Sequence, residues 1–317
     1  MNNLNLGIMQ NRGSIYYGDS ITNIEKQLEK LMLNINTPDL VVGTEFGLGM
    51  QWDGVPDSDT ENLHECIPGR VIERMSGLAR HYGIYFIPGS MIEYDRKKRK
   101  RYNALPLFSP SGDLIDVYRK MCPYYPVEEG VTKGDRYVVF PIPEKDITVG
   151  VMVCHDWCFP EIARNLTLLG AELLVRPAVD PEGLYETCKS IPPTRAFENQ
   201  AYFLSVNMAG EIGGLSAYGH SMLAGPDGRI IYEAGSDEVT AAIPLDFDAI
   251  RHARRYGTHN TEQLLRQLPY FNPPMPYAHD MKSAPLYENL PDPDFTVQSR
   301  REDLLQHQIL SDMKQKI

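Results

Sequence analysis

The chain runs one pattern twice, and that repetition limits its architecture more than any other feature. In the first half "LNLGIMQ" alternates like a strand, and "SITNIEKQLEKLMLNI" sets Ile21, Ile24, Leu28 and Leu31 at helical spacing behind a cap at Asp19 or Ser20. "PDLVVGTEF" reads as a buried strand, "VIERMSGLARHYG" as a helix stopped by Gly83, "IYFIPGSMIEYD" as an extended segment, and "SPSGD" as a hairpin turn. The second half offers strand "DITVGVMVC", helix "FPEIARNLTLLG" with Pro160 in its first turn, strand "AELLVRPA", helical "TRAFENQ", extended "AYFLSVNMAG" and a strand pair around "GPDG". "PDLVVGTEF" matches "AELLVRPA", "HYGIYFIPGSMIE" matches "NQAYFLSVNMAG", and "FSPSGDLIDVYRK" matches "AGPDGRIIYEAG". The period is much longer than that of a solenoid. Two such halves can pack their sheets face to face with helices outside, so the expected fold, in preference to two independent domains, is α/β: a four-layer α-β-β-α sandwich with internal pseudo-duplication.

Composition narrows the class of partner. A formal net charge of -11 repels nucleic acid and anionic membranes, so neither is expected as a partner, and an uncharged small molecule suits this surface better. No apolar run is long enough to span a bilayer, and "MNNLNLGIMQ" lacks the basic and apolar regions of a secretory leader, so the expectation is a cytoplasmic protein. Five irregularly spaced cysteines do not form a disulfide framework, which leaves reactive thiols to be explained.

The sharpest chemical signal is "VCHDWCFPE", where an apolar strand ends on Cys154, His155, Asp156, Trp157 and Cys158. A thiol just before a helix that begins near Pro160 faces backbone N–H groups able to hold a developing oxyanion. Thiolate chemistry also needs a base and a nearby cation. Glu45 ends "LVVGTEF" and Lys120 ends "LIDVYRK", each beside an apolar run where a lone charge is costly. Sites in parallel sheets gather beyond the carboxyl ends of strands, so the three residues are expected to converge. Two plainer readings stand beside this one. Cys154 could be a buried structural thiol, or Cys154, His155 and Cys158 could bind a metal, although Cys66, Cys122 and Cys188 provide no second paired cluster.

"GTEF", "YRKMCPYYPVEEG" and "CHDWCFPEIARNLTLLGAELLVRPA", in this order, resemble the nitrilase superfamily from residue 4 to about 267. The resemblance implies that fold and a Glu-Lys-Cys triad: Glu45 as general base, Lys120 as stabiliser of the tetrahedral intermediate and Cys154 as nucleophile. It further implies the His155 N–H as second oxyanion donor, Glu128 as the second glutamate that positions substrate, and Tyr124 as a pocket aromatic. Glu129 adjoins Glu128, so the match there is open by one residue. No cofactor and no metal is implied.

"CHD" followed by Trp157 is closer to the aliphatic amidase and formamidase branch than to true nitrilases, which usually follow the nucleophile with Trp-Glu. Phe46 and His155 depart from the Tyr and the acid common at those places in aliphatic amidases. The expectation is therefore hydrolysis of a small linear amide to acid and ammonia through a thioester. A nitrile or N-carbamoyl substrate is the alternative within the superfamily, and a silent binding homologue the alternative outside catalysis. Asp156 and Glu161 are read as bracing the thiol turn and capping the next helix. Arg176 is read as a structural ion pair that could instead meet a substrate carboxylate, and Arg96 to Arg101 as a solvated hairpin. Residues 1–265 form the expected hydrolase domain. The Pro-rich and aromatic 266–317 are expected to be an extension packed on a neighbouring subunit of a homo-oligomer.

Overall fold

The computed structural model describes residues 3–125, 128–271, 274 and 280–288. The first half contributes β1 (Asn3–Gln10), α1 (Tyr17–Met32), β2 (Leu40–Val42), α2 (Thr60–Leu63), α3 (Arg70–Tyr82), β3 (Tyr85–Ile87), β4 (Met91–Asp95), β5 (Lys100–Phe108) and β6 (Leu114–Arg119). The second contributes β7 (Val138–Ile142), β8 (Ile147–Val151), α4 (Pro160–Leu168), β9 (Leu173–Ala178), α5 (Tyr185–Cys188), α6 (Ile191–Asn199) and β10 (Tyr202–Asn207). It continues with β11 (Ala209–Ile212), β12 (Leu215–Tyr218), β13 (Met222–Ala224), β14 (Ile230–Glu233) and β15 (Val239–Asp246), then α7 (Asp248–Tyr256) and α8 (Leu264–Phe271).

The duplication is visible in strand order. One sheet runs β15-β1-β2-β3-β5-β4 with β6 on β5, and the other runs β14-β13-β10-β9-β8-β7. In each, three strands are parallel (β1, β2, β3 and β8, β9, β10) and the next is antiparallel (β5 and β13). Alternating side chains sort the layers. Leu40 and Val42, Tyr85 and Ile87, Leu173 and Val175, and Leu204 and Val206 meet between the sheets. Val41 and Phe86 turn outward to Ile24, Leu28 and Leu31 of α1 and to Val71, Met75 and Leu78 of α3. Leu174 and Phe203 turn outward to Ile162, Ala163 and Leu166 of α4 and to Ala196 of α6. The layers are thus α-β-β-α.

Several boundaries differ from the sequence reading. The first helix begins at Tyr17, so Asp19 lies in its first turn and Ser20 is buried instead of capping. "IYFIPGSMIEYD" is two strands, β3 and β4, because the chain turns at Gly89 (φ +122°), a conformation that glycine adopts without strain. β7, β15 and α7 carry no mark in the sequence reading; β15 crosses over to pair with all of β1, from Asn3 opposite Asp246 to Gln10 opposite Val239. Arg96 to Arg99 make the turn between β4 and β5, as a basic hairpin requires. Most of the expected extension at 266–317 lies outside the described residues. Among those described, no helix is long and apolar enough to cross a membrane.

Candidate active site

The carboxyl ends of the two sets of parallel strands face each other, and the reactive side chains stand in that seam. Cys154 follows β8 in a backbone conformation rare for a residue with a side chain, φ +46°. Such a conformation costs of the order of 1–3 kcal/mol and persists only where its surroundings over-determine it. Here they do. Arg176 Nε donates to the Cys154 carbonyl at 2.8 Å. Asp156, fully buried, accepts from the Val153 N–H (2.8 Å), the Tyr118 hydroxyl (2.7 Å) and the Cys122 N–H (2.8 Å). The result is a 3-10 turn over Cys154–Cys158, with α4 starting only at Pro160. The backbone donors beside the thiol therefore belong to this turn, not to the first turn of the helix that the sequence suggested. Glu161 lies exposed in the first turn of α4, which has no side-chain cap, so of the two acids only Asp156 braces the elbow.

Glu45 comes three residues after β2. A Cβ on Gly43 would stand 2.2 Å from the Pro88 carbonyl oxygen, so the ends of β2 and β3 approach as only glycine allows. Phe46 then turns at φ +49° with its N–H on Ser90 Oγ (3.0 Å), which aims Glu45 into the seam. Lys120, the residue after β6, donates from Nζ to Glu45 Oε1 (2.8 Å) and Glu128 Oε2 (2.6 Å). Asn103 Nδ2 donates to Glu45 Oε1 and Glu128 Oε1, both at 2.8 Å. Glu45 Oε2 accepts the Val179 N–H across the seam (3.0 Å), and Glu128 Oε2 accepts the Tyr124 N–H (2.6 Å). The thiol lies 3.9 Å from Asp180 Oδ1 and 4.0 Å from the Val179 carbonyl.

Relative exposure is 1% for Lys120, 2% for Glu45, 4% for Glu128 and 9% for Cys154, so these charges interact with little screening by water. Burial pushes Glu45 above the usual carboxylate range; Lys120 opposes that shift, Glu128 adds to it, and the nearby thiol favours the ionised form. Burial favours the neutral form of Lys120, but Cys154, Glu128 and Glu45 outweigh it and raise its proton affinity well above the usual lysine value. Burial and then Glu45 drive the Cys154 thiol up, against Lys120. At rest this is a protonated thiol beside a carboxylate of raised proton affinity. That pair can pass one proton back and forth.

The four residues expected to be catalytic stand together, and of the two adjacent glutamates Glu128 is buried on Lys120 whereas Glu129 is exposed. Tyr124 and His155 flank them with rings edge to face at 5.2 Å, and His155 Nδ1 meets the Cys122 carbonyl at 3.3 Å. Burial, then Lys120, lowers the His155 proton affinity, so the ring is neutral near pH 7. Arg176 is wholly buried. Besides the Cys154 carbonyl it donates to Asp180 Oδ1 (2.6 Å), Asp180 Oδ2 (2.7 Å) and Ser205 Oγ (2.8 Å), and it lies 3.2 Å from the Trp157 ring centroid. It is a structural ion pair holding the elbow from behind.

Asn103 and Asp180 were not singled out from the sequence. A signal for Asn103 existed in "YNALPLF", a lone amide inside an apolar strand. Asp180 had none, because "AVDPEG" looks like any loop. Among the described residues the five cysteines are free thiols, and no group of three or more His, Cys, Asp or Glu side chains is placed to hold a metal ion.

Known proteins share sequence and fold with this chain. The chain is 33% identical over 219 residues to "Omega-amidase NIT2" of Xenopus tropicalis, covering 63% of this chain and 78% of that protein. It is 28% identical over 241 residues to an "(R)-stereoselective amidase" of Pseudomonas, covering 75% of this chain and 84% of that one. Among solved structures, a carbon-nitrogen hydrolase from Helicobacter pylori shares the fold with TM-score 0.74 at 23% identity (86% of this chain, 97% of that chain). Saccharomyces cerevisiae Nit3, a member of the nitrilase superfamily, does so with TM-score 0.69 at 23% identity (80% and 93%). The family model described as "Carbon-nitrogen hydrolase" matches residues 10–255, and the chain therefore belongs to the carbon-nitrogen hydrolase family, within the nitrilase superfamily that its motifs resemble.

Proposed function

We propose that this protein hydrolyses a small linear amide to a carboxylic acid and ammonia, with Glu45, Lys120 and Cys154 as its triad. The observation that carries the reading is a buried thiol in one seam with an ammonium that two buried glutamates share. Glu45 takes the thiol proton as sulfur attacks the carbonyl carbon, and the carbonyl electron pair moves to oxygen. Lys120 Nζ and the His155 N–H hold that oxyanion. The intermediate collapses as Glu45 returns the proton to nitrogen; ammonia leaves and a thioester remains. Glu45 then takes a proton from water, which attacks the thioester, and the acid departs as the thiol is reprotonated. Glu128 and Tyr124 position the amide.

Relatives named as amidases support an amide, and others named as nitrilases keep a nitrile as the second substrate to test. The full engagement of Arg176 weighs against an N-carbamoyl amino acid, whose carboxylate would need that cation. The aliphatic amidase and formamidase branch remains our choice on the strength of "CHD" and Trp157. We further read residues 1–265 as the hydrolase domain and 266–317 as an extension covering a neighbouring subunit. Tyr270 (88% exposed) and Phe271 (72% exposed) on α8 support a covering partner. Ammonia release from formamide, acetamide, propionamide, a nitrile and an N-carbamoyl amino acid tests the reaction. Cys154→Ala should abolish release, and Lys120→Ala should lower kcat about 100-fold or more, the magnitude of one lost oxyanion donor. Full turnover by Cys154→Ala would refute the scheme.

A further inference from the structure

Asn103 sits in β5, 1% exposed, and ties together parts of the site that come from three places in the chain. Its carbonyl accepts the Lys120 N–H at 2.9 Å, which fixes where the lysine leaves β6. Its Nδ2 donates one hydrogen to Glu45 Oε1 and the other to Glu128 Oε1, each at 2.8 Å. Lys120 bridges the same two carboxylates from Nζ, so Glu45, Lys120, Glu128 and Asn103 close a ring of four hydrogen bonds. The orientation of the amide follows from chemistry: reversed, its oxygen would face two carboxylates, which offer no proton when ionised. Its Oδ1 is buried without a protein partner, so the two carboxylates are what hold the side chain.

The charge balance gives this ring its purpose. Two carboxylates share a single ammonium in a dry site, and Glu128 raises the proton affinity of Glu45. One proton too many on Glu45 would remove the base. An N–H donor from an uncharged amide favours the ionised form of Glu45 without adding a cation that would compete for the oxyanion. The geometry points to Asn103 as a positioning residue that sets the spacing of Glu45 and Glu128 and keeps Glu45 ionised in the working pH range. This rests on the proposed roles of Glu45 and Cys154 above.

The test measures kcat/KM for propionamide against pH, together with the pH dependence of Cys154 alkylation by iodoacetamide, in the full-length protein and its variants. Asn103→Leu keeps the shape and removes both donors. Loss of a hydrogen bond to an ionised group should move the acid limb of both profiles to higher pH by about 1–2 units, since the base must be unprotonated to act. Asn103→Asp replaces the donors with a third carboxyl and should move them at least as far. It also serves as the probe if the leucine variant does not fold. A folded variant whose limb coincides with that of the parent, with kcat/KM within threefold, would overturn the role of Asn103. Undiminished turnover by Cys154→Ala would instead overturn the underlying reading, so the two failures are distinct.

Discussion

Arg176 shows how a single buried side chain can serve a reactive site without facing it. Its guanidinium satisfies Asp180 in a bidentate pair, holds the Cys154 carbonyl, and stacks on Trp157. A lysine provides one point charge and no planar fork, so it cannot do all three. Arg176→Lys is expected to lower kcat more than tenfold with little change in KM, because the elbow loosens while the substrate pocket stays. Arg176→Met leaves the Asp180 carboxylate buried and unpaired, at a cost of about 3–5 kcal/mol. Urea unfolding followed by circular dichroism reads the second effect and steady-state kinetics the first; a methionine variant as stable as the parent would refute the account.

At the scale of elements, the strand ends set the site. β2 and β3 come so close beyond Val42 and Ile87 that Gly43 meets the Pro88 carbonyl oxygen and Gly89 meets the Thr44 carbonyl oxygen. Glu45 is aimed by that crossing. Gly43→Ala must push two backbones apart by more than any side chain can absorb, since a Cβ would lie 2.2 Å from the oxygen. The expected cost is about 1–3 kcal/mol of stability, as for overpacking elsewhere, with kcat reduced more than tenfold by displacement of Glu45. Thermal melts and amide turnover on the same sample check both. The helices and central strands that surround this crossing were legible in the sequence because apolar period is a local property: Val71, Met75 and Leu78 announce α3 without reference to anything distant. β15 was not, because most of its residues are only half-buried and its meaning comes from pairing with β1 more than two hundred residues earlier.

For the whole molecule, the two halves cannot be separate folding units. The central core takes Leu6, Val42 and Ile87 from one sheet and Val149, Val175 and Leu204 from the other. β15 lends second-half backbone to the first-half sheet. Buried Gln10 stitches the same seam: its Nε2 donates to the Gly235 carbonyl (2.7 Å) and its Oε1 accepts the Ser221 N–H (2.8 Å). Each half carries one tryptophan: Trp52 packs at a tilt on Tyr17 beside the α1 and α3 layer, and Trp157 packs in the α4 and α6 layer. Trp52→Phe and Trp157→Phe leave one reporter each, and their fluorescence should give coincident urea midpoints once each is referred to its own circular dichroism transition. Midpoints that separate by probe would show the halves unfolding independently.

What the sequence by itself determined was the layered α/β class, the duplication and three polar residues at the ends of apolar runs, since periodicity and an abrupt polar residue are written in neighbouring positions. Tertiary structure alone decided the state of those residues. One ammonium shared by two carboxylates, an amide spanning both, and a cation diverted to the thiol's own carbonyl all depend on atoms brought together from 8 to 75 positions apart in the chain. Electrostatic energy follows distance and burial in space, and neither can be read from order along a polymer.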